Sequence, residues 1–297
     1  MKVRRFAVVG DPVGHSKSPA MHGAALRALG LPHTYEAVRA NADELPRVIA
    51  MLRQGAFDGL NVTVPHKERV LGLVDDLDEG ARRAGAANTL VRRADGRLVA
   101  YNTDAPALAA ELARLRGPSP WAANARGLVL GSGGAARGAV AALGVHLGLK
   151  HVVVRARAFA DPLRRSAFAA TAPCPVTLEA WAASADGEAH TVAIVQATSA
   201  GMRGADPGEG VAGVVAWASL PPEAVAIDVV YAPRDTPWLR AARGRGLRAD
   251  DGLGMLARQG ALALELWLAG DGIGGGTGEG IGNGVKVPVD AMRAALE

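Results

Sequence analysis

Lys67 sits in the stretch NVTVPHKE (61–68), just after a strand-like run, in a chain whose 33 basic side chains are arginines apart from Lys2, Lys17, Lys67, Lys150 and Lys286. The choice of residue matters chemically. An ammonium with an ordinary pKa of about 10.4 gives up a proton when its surroundings favour it, whereas a guanidinium near 13 effectively does not. A lysine among so many arginines therefore points to proton transfer at residue 67. The competing reading is a solvated lysine at a helix start.

A second stretch, VLGSGGAARG (129–138), follows an apolar run and opens a helix-like segment, giving the spacing Gly131-x-Gly133-x-x-Ala136. In that context the pattern is a dinucleotide fingerprint: the glycines let the backbone turn tightly and approach a pyrophosphate, whose charge meets free N–H groups at the helix start. About 20 positions on, an acid would bind the ribose 2′-OH and an arginine would accept a 2′-phosphate. The sequence there is VVVRARAFAD, with Arg155 and Arg157 and no acid before Asp161, which favours NADP(H) over NAD(H). Two arginines in a solvated loop are the plainer alternative.

The elements needed to position these residues are also legible. From residue 127 continuous apolar runs, GLVLG (127–131), HVVV (151–154), TVAIVQA (191–197) and AVAIDVV (224–230), alternate with alanine-rich helical segments such as 135–147. Unbroken apolar strands suggest a parallel sheet buried on both faces, so this half is expected to be a doubly wound Rossmann-type α/β domain. Before it, RRFAVVG, TYEAV, GLNVTV, NTLVRR and RLVAY read as strands, with helices beginning near 19, 43, 66 and 76. The expected division is a substrate-binding domain over 1–104, completed by 251–297, and an NADP-binding domain over 105–250. Residues 105–116 form a linking helix, ended by the turn chemistry of GPSPWAANA (117–125). The glycine-rich segment 270–284 has no core-forming capacity.

Composition narrows the class. The chain has 297 residues, nearly half of them apolar, and room for two domains with their own cores. No apolar run reaches the roughly 18–20 residues of a membrane span, and MKVRRFAVVG lacks a signal peptide's apolar core, so a cytoplasmic protein without a membrane partner is expected. Cys174 is the only cysteine, which excludes an internal disulfide and a cysteine-based metal cluster, and no histidine and carboxylate spacing suggests a metal site. The formal net charge is +4, but the arginines are scattered among acids, which argues against nucleic acid and suits an anionic small molecule. Monomer and homodimer are both compatible.

Seven stretches, taken in order, strongly resemble the shikimate dehydrogenase family: GDPVGHSKSPAMH (10–22), GLNVTVPHKE (59–68), GAANTL with YNTDA (85–90 and 101–105), GSGGAAR (131–137), QATSAGM (196–202), DVVYAPRDTPWL (228–239) and DGLGMLARQGALALELW (251–267). The resemblance implies NADP-dependent, reversible reduction of 3-dehydroshikimate to shikimate in aromatic amino-acid biosynthesis, with the active site in the cleft between the domains. It makes Lys67 and Asp104 the acid–base pair. Ser16 and Ser18 would bind the substrate carboxylate, and Thr63, Asn88, Tyr231 and Gln259 the ring hydroxyls. On the cofactor side it implies Gly131, Ser132, Gly133, Gly134 and Ala135 for the pyrophosphate, Arg155 and Arg157 for the 2′-phosphate, and Thr198, Met202, Val229 and Gly252 near the nicotinamide. Ser18, followed by Pro19, also reads as a helix N-cap, and His15 and His66 read as structural.

Several positions depart from the family pattern. Arg155-Ala156-Arg157 replaces the usual Asn-Arg-Thr, Gln196 stands where asparagine precedes the Ala-Thr pair, Gly23 follows the histidine in place of asparagine, and Ala105-Pro106 replaces a common glycine. None removes a proposed catalytic group. The alternatives are a quinate/shikimate or aminoshikimate dehydrogenase with the same pair, and a non-catalytic metabolite sensor.

Overall fold

The computed structural model describes residues 2–182, 188–269 and 286–297; the expectation for segment 270–284 lies outside them. The chain divides into two compact units, Met1–Thr103 with Leu256–Glu297, and Asp104–Met255. The crossings fall at 103/104 and 255/256, against the 104/105 and 250/251 expected.

In chain order the first unit contains β1 (Arg5–Gly10), α1 (Ser18–Ala28), β2 (Thr34–Arg39), α2 (Leu45–Arg53), β3 (Gly59–Val62), a 3-10 turn at Arg69–Leu73, β4 (Asp76–Leu77), α3 (Glu79–Ala84), β5 (Thr89–Arg92) and β6 (Leu98–Tyr101). Its described strands form one sheet in the order β2-β1-β3-β5-β6-β4, with β1 parallel to β2 and β3, and β5 antiparallel to β3 and β6. Leu45, Val48, Ile49 and Leu52, spaced to share one helix face, bury α2 against Leu60, Leu90 and Leu98 of the sheet. The helices expected near 66 and 76 are corrected: the first is the 3-10 turn, and α3 begins only at Glu79, where Asp78 accepts the Ala81 N–H at 2.7 Å as its cap.

The second unit runs α4 (Asp104–Arg116), β7 (Arg126–Leu130), α5 (Gly134–Val140) continued by a wider π turn over Ala141–His146, β8 (His151–Arg155), α6 (Pro162–Ala170), β9 (Val176–Glu179), β10 (Thr191–Gln196), α7 (Glu209–Ala212), β11 (Val225–Asp228), α8 (Pro237–Gly244) and β12 (Arg248–Asp250). Its sheet, β12-β11-β10-β7-β8-β9, is parallel throughout and has the strand order of a dinucleotide-binding fold. Trp238 and Leu239 of α8 pack with Leu128, Leu130 and Ile194 to form its core.

The next helix, α9 (Leu253–Ala269), returns the chain to the first unit, and α10 (Val289–Ala294) packs with α1. Trp267 fixes α9 on the first sheet: its indole stacks on Phe6 at 4.8 Å and donates to the Leu90 carbonyl at 2.9 Å, and a Cβ at Gly59 would overlap it. Among the described residues no helix is long and apolar enough to cross a membrane.

Candidate active site

In the first unit the loop carrying Lys67 is pinned along its backbone. Thr63 donates its N–H to the Val9 carbonyl at 2.9 Å and accepts the His66 N–H at 2.9 Å. A Cβ at Gly10 would overlap the Thr63 methyl, so only glycine lets this segment lie against β1. His66 is buried and donates Nε2–H to the Ala40 carbonyl at 2.7 Å, which makes it a brace for the turn. The Lys67 carbonyl accepts the Ala87 N–H at 2.8 Å, and the side chain is half-buried.

Residue 88 carries that connection onward. Asn88, 2% exposed, accepts the Thr103 N–H on Oδ1 at 2.8 Å and donates Nδ2–H to Thr103 Oγ1 at 2.9 Å and to Gln259 Oε1 at 3.1 Å. Gln259 in turn donates to the Leu256 carbonyl at 2.8 Å. Asp104, the residue after Thr103, is buried and opens α4. Thus the backbone at 67 and the backbone at 103 are joined through Ala87 and Asn88.

The buried polar chain extends behind this point. Asn61 donates to the Asn88 carbonyl at 3.0 Å and to Thr89 Oγ1 at 3.1 Å, and accepts from the Tyr35 hydroxyl at 2.8 Å. Burial pushes the Tyr35 phenol well above its ordinary range, with a hydrogen bond from Ser18 easing it slightly. His22 stacks on Tyr35 at 4.1 Å, and neither ring nitrogen makes a hydrogen bond of good geometry; burial lowers its pKa to about 3, with the nearby Asn61 side chain pulling the other way.

In the second unit the residues expected to face the cofactor lie at the carboxyl ends of parallel strands, each tied to the neighbouring strand. Gly131 donates to the Arg155 carbonyl at 2.9 Å, Ala197 to Leu130 at 2.9 Å, Val229 to Gln196 at 3.0 Å and Gly252 to Val230 at 3.3 Å. Gly131 has φ +124° and a Cβ there would stand 3.0 Å from the Ala197 carbonyl oxygen; a Cβ at Gly252 would overlap that of Val229. Gly133 is exposed with nothing within 4 Å of where a side chain would start, so the turn's crest is open. Ser132, Gly134 and Ala135 are half-buried around it. A glycine turn with an open crest leading into α5 fits a pyrophosphate, as the fingerprint requires. Thr198 and Tyr231 are half-buried and Met202 is exposed.

A family model described as the shikimate dehydrogenase substrate binding domain matches residues 8–90. Over 264 residues the chain is 42% identical to shikimate dehydrogenase (NADP(+)) of Methylobacterium radiotolerans, covering 89% of this chain and 90% of that one. This chain belongs to the shikimate dehydrogenase family. The Rhodospirillum rubrum member is 40% identical over 272 residues, covering 90% of this chain and 92% of its own. The solved shikimate 5-dehydrogenase of Thermus thermophilus, in complex with NADP(H) and shikimate, superimposes with a TM-score of 0.77 at 35% identity, over 99% of this chain and 98% of that one.

Two expectations drawn from the sequence are corrected. Arg155 is not available to a 2′-phosphate: it is 1% exposed, its guanidinium bound to Glu179 at 2.6 Å, Glu188 at 3.0 Å and the Val214 carbonyl at 2.5 Å. It ends β8 pointing into the unit, and burial of a charge demands such partners. Ser18 is not the cap of α1, since it is already helical and Ser16 Oγ accepts its N–H at 3.2 Å. Sequence reasoning missed Asn61, Thr103, Tyr35 and His22. Asn61 carried a signal, a polar residue inside the apolar run GLNVTV.

Proposed function

We propose that the chain catalyses NADP-dependent, reversible reduction of 3-dehydroshikimate to shikimate, a step of aromatic amino-acid biosynthesis, in the cytoplasm. The carrying observation is Asn88, whose side chain holds Thr103 and Gln259 while its neighbour Ala87 holds the Lys67 backbone. A buried amide with its hydrogen bonds satisfied on both ends fixes the chain on either side, which is the requirement for a proton donor that must act at one position.

When bound, the nicotinamide cofactor supplies or accepts the hydride. In the proposed reduction the Lys67 ammonium gives a proton to the ketone oxygen as it becomes an alcohol, and the neutral amine takes it back in the reverse direction. Asp104 is the second member of the proposed acid–base pair. The hydroxyls of Ser16 and Ser18 bind the substrate carboxylate. Thr63, Tyr231 and Gln259 offer the hydroxyl and amide groups that suit the ring hydroxyls, and Asn88, its own amide already engaged, keeps Gln259 and Thr103 in place. Gly131 through Ala135 would hold the pyrophosphate and Arg157 the 2′-phosphate, with Thr198, Met202, Val229 and Gly252 beside the nicotinamide.

The test is a matrix of steady-state rates for shikimate and quinate, each with NADP+ and NAD+. Shikimate with NADP+ should give the highest kcat/KM. Dominance of quinate with NAD+ would replace the reading by a quinate/shikimate dehydrogenase. Tight ligand binding with no absorbance change at the reduced cofactor's band would make the chain a sensor.

A further inference from the structure

Arg157 opens a single 3-10 turn just past β8 and is 64% exposed. Its guanidinium stands 5.5 Å over the Trp181 ring, and Nη2 lies 3.2 Å from Asp206 Oδ2. Asp206 is held in a built turn: its Oδ1 accepts the Gly208 N–H at 2.9 Å and its carbonyl accepts the Gly201 N–H at 2.7 Å. Gly201 and Gly208 have φ of +90° and +100°, which lets the chain fold back on itself there. The segment thus anchored also carries Met202.

Of the two arginines at the end of β8, only Arg157 is left for an anion, since Arg155 is sealed among Glu179, Glu188 and Val214. The acid facing Arg157 sets up a competition. A 2′-phosphate brings two negative charges to a guanidinium that already has a carboxylate partner, and it must displace that partner or sit beside its charge. A plain ribose 2′-OH brings no charge, leaves the ion pair intact and is itself a donor that a carboxylate accepts.

We propose that Asp206 is a specificity-determining residue: it occupies Arg157 when no 2′-phosphate is present and so narrows the discrimination between NADP(H) and NAD(H). The inference rests on the reading of Arg157 as the 2′-phosphate residue. It assigns the 199–208 loop a role at the adenosine end of the cofactor as well as the nicotinamide end.

The experiment measures binding by calorimetry on the full chain, with adenosine 2′,5′-bisphosphate and 5′-AMP as probes, for wild type, Asp206→Asn and Arg157→Ala. Asparagine keeps an oxygen for the Gly208 N–H and removes the charge. D206N should bind the bisphosphate about three- to fivefold more tightly, the scale of one exposed ion pair, with 5′-AMP unchanged within about twofold. Unchanged or weaker bisphosphate binding by D206N, with R157A losing the preference for the bisphosphate, would overturn the role of Asp206 and leave that of Arg157 standing. If R157A kept the wild-type ratio of the two affinities, the reading of Arg157 would fail, and the inference with it.

Discussion

In the first unit a mixed sheet is crossed by side-chain hydrogen bonds, running from Tyr35 through Asn61 and Asn88 to Thr103 and Gln259. In the second, a parallel sheet presents backbone turns at its carboxyl ends, with Gly131 and Gly252 placed where a Cβ would strike a neighbouring carbonyl. The first unit ties its hydroxyls and amides together through side chains; the second keeps the crest of its glycine turn open at Gly133. Substitutions should therefore separate by unit: side-chain changes in the first should act on substrate, and added bulk at glycines in the second should act on cofactor.

The largest break in that division is expected from Lys67→Ala. Turnover should fall about 10²- to 10⁴-fold, the usual scale for removing a general acid or base. Binding of adenosine 2′,5′-bisphosphate, measured by calorimetry, should stay within about twofold of wild type. A variant with near-wild-type turnover would remove Lys67 from the chemistry.

The units also differ in their buried titratable groups, and the signs are opposite. His22 in the first unit has its pKa lowered by burial from 6.5 to about 3. A depressed imidazole contributes stability that is present above pH 6.5 and is lost as pH falls towards 3, because the unfolded chain gains a proton the folded one does not, at up to about 1.4 kcal/mol per pH unit. Asp228 in the second unit has its pKa raised from 3.8 to about 7, chiefly by burial and also by the Asp251 charge, against hydrogen bonds from Thr236, Val230 and Gln196. A raised carboxyl works the other way: its contribution is full below pH 3.8 and is lost as pH rises to 7. Whole-chain unfolding would blend the two slopes between pH 3.8 and 6.5, so the measurement is amide exchange resolved by unit. Protection in the first unit should fall from pH 6.5 to 4 and that in the second should rise. His22→Gln should flatten only the first.

Third in size is Gly252→Ala. The added methyl meets the Val229 carbonyl, at a backbone position that has nowhere to move without shifting β11. Overpacking of this kind costs about 1–3 kcal/mol, read as a loss of cofactor affinity of about tenfold with shikimate binding in the absence of cofactor little changed. An equal loss for both ligands would erase the contrast between the units.

How much of this is legible in the sequence follows the same line. The long apolar runs mark β7, β8, β10 and β11, and the glycine fingerprint marks the turn at Gly131, because parallel strands buried on both faces leave a continuous signature. The edge strands β4, β9 and β12 leave no such mark: Asp76–Leu77 is two residues long, and VTLE and RAD are short, polar or half-exposed, as edges are. Arg155 misleads for a related reason. Spacing gives a residue's place along a strand but not the face it points to at the strand's last residue, and Glu179 and Glu188, its partners, are 24 and 33 positions away. The chain through Asn61, Asn88, Thr103 and Gln259 is likewise assembled from distant segments. Of these, the sequence singles out only Asn88 and Gln259, on resemblance rather than on any local pattern.

The smallest effect expected is also the one that best sharpens the comparison. Lys17, between Ser16 and Ser18, donates Nζ–H to the Leu296 carbonyl at 2.5 Å, just beyond α10, which packs against α1. The C-terminal helix thereby braces the loop proposed to bind the substrate carboxylate, through a charge-assisted bond that a methionine of similar length cannot make. Lys17→Met should lower stability by about 1 kcal/mol and raise KM for shikimate about two- to fivefold, leaving KM for NADP+ as it was. The split between the two KM values is the decisive readout. A loose C-terminus that merely destabilised the fold would lower the amount of active enzyme and shift neither, whereas a loop released at Ser16 and Ser18 weakens only the ligand that the first unit is proposed to hold.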